Sequence, residues 1–325
     1  MSKYDRRAAD KRYKQKLAER IKAEHAELMQ LREDIANGKL VYVASKDGGG
    51  TDLGGEVVGR LGGVVGRGGS QVLFNRGDEY EAASDTEFSQ GKYLLSEISV
   101  LDGDSILDVG CGTGLLSLEI AKWFPTCSVV GIDISPDMIA TARSHLDNSI
   151  SHRVRFGVAN LFSFAPDSPY DVIFSSSAMH WMLPPEQSYQ CVFNILKHGG
   201  QLVVHQGGHA TYRGLHQCVF DVVDMMGFGS RFEGWTYPAY YPTSDQFSGL
   251  LEQVGFIDIN VESRETDGSE FPSLYRDFAN AGLLPFLVRI PEAEREAFRS
   301  LFIEHANRIK ADKYTHRLFA TAMRP

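Results

Sequence analysis

Between positions 105 and 206, short apolar runs alternate with stretches whose apolar residues recur every three or four positions. The runs SILDVG (105–110), SVVGID (128–133), RVRFGVA (153–159), DVIFSSS (171–177) and QLVVHQ (201–206) read as strands, continuous enough to be buried on both faces. The segments 114–124, 136–146 and 186–196 read as helices. Ser135 stands as the N-cap of the second, with Pro136 at its first helical position. Strands alternating with helices predict a Rossmann-like, doubly wound parallel sheet. Farther on, 244–254, 271–281 and 291–311 read as helices, and 256–265 and 315–323 as strands. The aromatic-rich segment 207–242 reads as an inserted lid, with Phe232, Trp235, Tyr237, Tyr240 and Tyr241 its candidate contacts.

Ahead of this region the texture changes twice. Tyr13, Leu17, Ile21, Leu28, Leu31 and Ile35 form one helical stripe, which predicts a charged helical extension over 1–47. Eleven glycines in 48–69 predict a flexible linker, assigned to 48–74. The segment 79–99 reads as a helix broken near 84–85, and residues 75–325 as the main domain.

Composition narrows the function. The 33 basic and 42 acidic residues leave a net charge of −9, which argues against a sequence-independent grip on nucleic acid. No apolar run is long enough to cross a bilayer, so neither nucleic acid nor a membrane is an expected partner. The first forty residues have no apolar core of a signal peptide, and acids such as Asp5, Asp10 and Glu19 speak against a transit peptide. Four scattered cysteines, without a CxxC pair, suggest neither a zinc site nor a disulfide framework; a cytoplasmic setting and no metal are the expectations.

Candidate chemistry sits between the first strand and the first helix of the alternating region, at Asp108-Val-Gly110-Cys-Gly112-Thr-Gly114. Glycines there let the backbone turn sharply and approach a ligand. Asp133, at the tip of the next strand, is placed to accept ribose hydroxyls, which is mononucleotide geometry at the C-terminal strand ends. A dinucleotide fingerprint requires a small residue at position 115, where this chain has Leu. The G-x-G-x-G run with an acid two residues ahead suits a cationic amino-acid sulfonium, whose ammonium group Asp108 can pair. Cys111 reads as a small filler within the loop.

The stretch SILDVGCGTG…VVGIDISPDM resembles the cofactor-binding core of class I S-adenosylmethionine-dependent methyltransferases. YDVIFSSSAMHWM (170–182), HGGQLVV (198–204) and the upstream Tyr80, Phe88 and Gln90 are most similar to the trans-aconitate, juvenile hormone acid and malonyl-carrier-protein methyltransferases. The resemblance implies a seven-stranded sheet, mostly parallel with an antiparallel last strand, and S-adenosyl-L-methionine as cofactor. It implies that Gly110, Gly112 and Gly114 shape the pocket floor, that Asp133 holds the ribose, and that Ile134 and Met138 pack on the adenine. Asn160, with Leu161 beside it, stands where the family usually has Asp near the adenine amino group. Ser175 to Ser177 would face the sulfonium, Ser176 among the cofactor contacts. His180, Gln90 and Tyr80 are the catalytic candidates, and His205-Gln206 can reach the same cleft.

The reading that follows is methyl transfer to a small molecule, with a carboxylic acid as the leading acceptor. N- or C-methylation, a peptide or carrier-bound acid, and a non-catalytic cofactor-binding scaffold are the alternatives. Self-association is assigned to the N-terminal helix.

Overall fold

The computed structural model describes residues 85–268 and 273–325. The N-terminal helix, the glycine-rich linker and Tyr80 lie outside the described residues.

Seven strands form one sheet: β1 (Ser105–Val109), β2 (Ser128–Asp133), β3 (Val154–Val158), β4 (Tyr170–Ser176), β5 (Leu196–Gly207), β6 (Ile257–Thr266) and β7 (Thr315–Met323). Their order is β3-β2-β1-β4-β5-β7-β6. β1 pairs in parallel with β2 and β4, and β4 with β5, whereas β7 lies antiparallel between β5 and β6. The chain order reverses between β2-β1 and β4, so the C-terminal ends of β1 and β4 open a crevice where their connections part to opposite sides.

The central strands are apolar because helices cover both faces. α1 (Asp85–Leu95), α2 (Leu115–Trp123), α3 (Pro136–Ser144), α4 (Pro185–Ile195) and α6 (Ser244–Val254) pack on the sheet or on each other. Leu107, Val109, Ile173, Leu202 and Val204 are fully buried in the core that results. Local signals agree with the packing. Ser135 caps α3 by accepting from the Met138 amide at 3.3 Å. Thr243 and Gln246 form a reciprocal capping box on α6.

α5 (Arg213–Met225) is not among the elements predicted above. It lies within the presumed lid, yet its buried Leu215, Cys218, Val219, Val222 and Val223 keep helical spacing. With α7 (Leu274–Asn280), α8 (Leu284–Leu287) and α9 (Arg295–Ile309) it builds a second apolar core that also takes in Phe232, with Trp235 and Tyr237 packed against it. Much of 207–242 is therefore a packed body; only its end, Tyr240 and Tyr241, turns toward the C-terminal ends of the strands, where the Tyr240 amide donates to the His180 carbonyl at 2.8 Å.

Candidate active site

The loop after β1 is tied to β2. The amides of Gly110 and Cys111 both donate to the Ile132 carbonyl, at 2.8 and 3.0 Å. Gly110, Gly112 and Gly114 have φ of +71°, +53° and +79°, the left-handed region that glycine adopts without strain. They do different work. A Cβ on Gly110 would stand 2.3 Å from the Ala178 Cβ, so this glycine lets β1 approach the turn after β4. A Cβ on Gly112 would meet nothing within 4 Å, because it would project into open space. A Cβ on Gly114 would strike Phe156 and Ala142 at 2.6 and 2.9 Å. Gly114 therefore serves the packing of α2 and does not join Gly110 and Gly112 in the pocket lining.

The cleft above this loop is lined by Asp108, Gly110, Gly112, Ser176 and Ser177, with Phe88 of α1 on the opposite side. Asp108 is buried and accepts a 2.5 Å hydrogen bond from the Ser117 hydroxyl. Burial, opposed by that bond, pushes its carboxyl up to about 7. Asp133 accepts from the Gly112 amide at 3.0 Å through Oδ2 and from the Ser135 amide at 2.9 Å through Oδ1. The same carboxylate thus braces the glycine loop while standing at the strand tip where a ribose would lie.

Beyond Asp133, Ile134 is 38 % exposed, whereas Met138 and Leu161 are buried. A purine would rest on Ile134 and find the other two as the core beneath. Asn160 Oδ1 already accepts from the Phe162 amide at 3.0 Å, capping a short turn, and retains one lone pair.

At the other end of the cleft the three serines separate. Ser175 is fully buried and donates to the Val109 carbonyl at 2.7 Å, so it fastens β4 to β1 and does not face the sulfonium position. Strand alternation is the reason. Ser176 and Ser177 line the cleft, and Ser177 adopts φ +56°. Their hydroxyls lie 3.1 and 3.4 Å from His205 Nδ1. Gly91 brings α1 close over this point, its Cβ position being 3.0 Å from the Ser176 hydroxyl. The neighbouring Gln90 has a buried Oε1 without a hydrogen-bond partner.

His180 is buried in the turn after β4, its ring 5.1 Å from Trp181 and 5.4 Å from Tyr241. Burial, aided by the Arg317 charge, holds its imidazole down to about 3. The same causes hold His205 well below the usual histidine range. Both rings are neutral at pH 7. Cys111 is no candidate nucleophile: burial and the two carboxylates raise its thiol well above the ordinary range. Among the described residues there is no cluster of metal-binding side chains, and no helix long and apolar enough to cross a membrane.

Sequence reasoning included Ser177 within the Ser175–Ser177 run, did not single out Arg317, and gave His205 only a secondary place. Ser177 reaches the cleft because β4 ends at Ser176 and Ser177 turns into the left-handed region; nothing local marks Arg317, which comes beside His205 through the antiparallel course of β7.

The cleft fits S-adenosylmethionine in its donor set: a buried carboxyl at the methionine end, an open glycine at Gly112, and an acid at the β2 tip. Residues 101–225 match the family model described as a methyltransferase domain. A trans-aconitate 2-methyltransferase of Variovorax paradoxus is 31 % identical over 65 % of this chain and 81 % of its own. The chain belongs to the class I S-adenosylmethionine-dependent methyltransferases, which use that cofactor as methyl donor. Within them it is also similar to malonyl-[acyl-carrier protein] O-methyltransferase 1 of Ilyobacter polytropus, 30 % identical over 39 % of this chain and 47 % of that one. The chain thus spans about half the length of this relative. The fold is shared with phosphoethanolamine N-methyltransferase 2 of Haemonchus contortus, solved in complex with S-adenosyl-L-methionine, at a TM-score of 0.53, 21 % identity and coverage of 77 % of this chain and 56 % of that one.

Asp108 is expected to make cofactor binding pH-dependent. With its carboxyl near 7, pairing with the cofactor ammonium group requires loss of a proton. Affinity is expected to rise up to about tenfold per pH unit between pH 5.5 and 7 and to level off above. Calorimetry in buffers of different ionisation enthalpy should register the released proton at pH 6. A flat affinity profile with no proton release would remove Asp108 from this role.

Proposed function

We propose that the protein transfers a methyl group from S-adenosylmethionine to the oxygen of a carboxylic acid. The observation that carries this reading lies at the Ser176–Ser177 end of the cleft: both hydroxyls lie beside Nδ1 of the buried His205, while His205 Nε2 and the Nδ1 of the nearby buried His180 have no hydrogen-bond partner. A carboxylate reaches the site already ionised at pH 7 and needs placement, not a base. Neutral N–H and O–H donors orient it while leaving a lone pair for attack. When bound, the cofactor supplies a methyl group activated by its sulfonium. The chain supplies alignment and exclusion of water, through α1 above and the Ser176–Ser177 turn below. Gln90 extends this set from α1. The names of the Variovorax and Ilyobacter relatives, one a trans-aconitate and one a malonyl O-methyltransferase, support an acid acceptor.

A phenol or amine acceptor needs a group that takes a proton near pH 7, and an imidazole at about 3 is a weak base for that task. Labelled S-adenosylmethionine with a panel of acids, phenols and amines tests the reading. Acids are expected to be labelled, with no ascending limb near pH 6–7 attributable to histidine. His180→Asn, which keeps an N–H donor, should retain much of the rate. Labelling of amines or phenols alone, with a fall of about 10²–10⁴ in His180→Asn, would replace this reading by general-base transfer.

A further inference from the structure

A row of paired residues crosses the sheet from the cleft to its edge. Register sets Ser176 of β4 beside His205 of β5, His205 opposite Phe319 of β7, and Phe319 opposite Glu262 of β6. Residues paired across neighbouring strands share a face, so all four side chains stand on one side of the sheet. α1 lies over that side. A Cβ on its Gly91 would stand 3.0 Å from the Ser176 hydroxyl, at the cleft end of the row. Two residues on, Tyr93 covers the other end. Its ring meets Phe319 edge-on at 5.3 Å, and its hydroxyl donates to Glu262 Oε2 at 3.1 Å.

The row is in contact throughout. The Ser176 hydroxyl lies 3.1 Å from His205 Nδ1, and the His205 ring stacks on Phe319 at 4.6 Å with the planes 16° apart. Arg264, two residues along β6 from Glu262 and so on the same face, closes the outer end. Its Nε donates to Glu262 Oε1 at 2.5 Å, and its guanidinium stands 3.6 Å from the centre of the Tyr93 ring and 5.0 Å from that of Phe319. A planar cation is attracted to both ring faces. With side chains 43 % and 44 % exposed, Arg264 and Glu262 add little to folding as an ion pair. Together with Phe319 they hold Tyr93 from three directions. Gln90, three positions before Tyr93, neighbours it on the same face of α1, and its Oε1 is buried without a hydrogen-bond partner.

We infer that Tyr93 and Arg264 are positioning residues for methyl transfer: one set of contacts fixes both α1, with Phe88 and Gln90, over the cleft and the His205 ring beside Ser176. Neither residue lines the cleft itself. The stack passes a displacement of Tyr93 to Gln90 along the helix and to His205 through Phe319. Alignment is the chain's main contribution to displacement at an already activated methyl, so small shifts of these groups are costly. Any acceptor would meet the same alignment, so the carboxylate reading is not required.

The test uses the full chain, labelled S-adenosylmethionine and the acceptor that the panel identifies. Arg264→Met and Tyr93→Leu are expected to lower kcat by about tenfold with a much smaller change in acceptor KM. Arg264→Met should leave the melting temperature nearly unchanged. Arg264→Lys, which keeps a cation over the ring without the planar fork, should recover part of the rate. In a Gln90→Ala background the Arg264→Met loss should shrink, because one of the groups being positioned is gone. Stopped-flow release of S-adenosylhomocysteine needs no acceptor: it should be faster from Arg264→Met, since α1 carries Phe88 on the cleft wall. Should Tyr93→Leu fail to fold, Arg264→Met decides alone. Unchanged kcat and release rate in Arg264→Met, a rate loss that follows melting temperature across the variants, or full additivity with Gln90→Ala would each overturn the positioning role. Which acceptor is labelled bears only on the carboxylate reading.

Discussion

Asp133→Ala is expected to weaken S-adenosylmethionine binding by about 1.5–3 kcal/mol, roughly 10- to 150-fold, for the loss of charged hydrogen bonds to the ribose alone. The structure adds a second cost. Asp133 accepts from the Gly112 and Ser135 amides at 3.0 and 2.9 Å, so alanine also releases the glycine loop and the start of α3. Binding should therefore fall at the upper end of that range. Asp133→Asn should not rescue it, because the new amide nitrogen would face one of these two donors. Calorimetric titration with S-adenosylhomocysteine checks both variants, with the melting temperature of the ligand-free protein reporting the loop. An unaltered dissociation constant in a folded Asp133→Ala protein would sink the ribose assignment.

Acid should unfold this protein more readily than its carboxylates alone would suggest, and His216 offers a clean measure. It lies in the second core, its ring 4.4 Å from Tyr237 and 5.6 Å from Phe278, and its buried Nε2 has no hydrogen-bond partner. Burial lowers its imidazole from 6.5 to about 4. The sign follows: the unfolded chain takes up a proton below pH 6.5 that the folded protein refuses until about pH 4. The stability contributed by the neutral ring is present above pH 6.5 and is lost as pH falls through that window, by about 2 kcal/mol once its partial exposure is allowed for. His180, lowered to about 3, and His205 act in the same direction. Asp108, raised to about 7, acts oppositely: its protonated form adds relative stability as pH falls from 7 toward 3.8. His216→Met keeps the volume and removes the titration. The stability gap between variant and wild type, measured by denaturant unfolding, should widen by about 2 kcal/mol from pH 7.5 to pH 4. A gap constant across that range would show that His216 does not titrate as described.

The candidate cofactor half of the cleft is local in the chain, and so its place was legible. Asp108, Gly110 and Gly112 follow one buried strand, and Asp133 ends the next; a parallel sheet brings consecutive strand ends side by side without further information. Even here spacing blurred roles. Gly114 belongs to the motif yet makes room for Phe156, and Ser175 belongs to the Ser run yet points at β1. Side-chain direction depends on strand parity and on what packs behind, which a motif does not carry. α5 was missed although its apolar spacing was present, because the surrounding aromatics suggested a loop.

What the sequence by itself determined is the alternation of strands and helices, the glycine loop with its two acids, and hence the binding end of the cleft. These depend on periodicity and on neighbours within about thirty residues. Only the tertiary structure brings together the residues around the proposed acceptor end. His180, His205 and Arg317 are up to 137 positions apart, and they meet because β7 inserts antiparallel between β5 and β6. The neutral state of the imidazoles was equally out of reach of the sequence. An imidazole's charge is set by the water it loses and the cation it faces, and both are properties of the assembled fold.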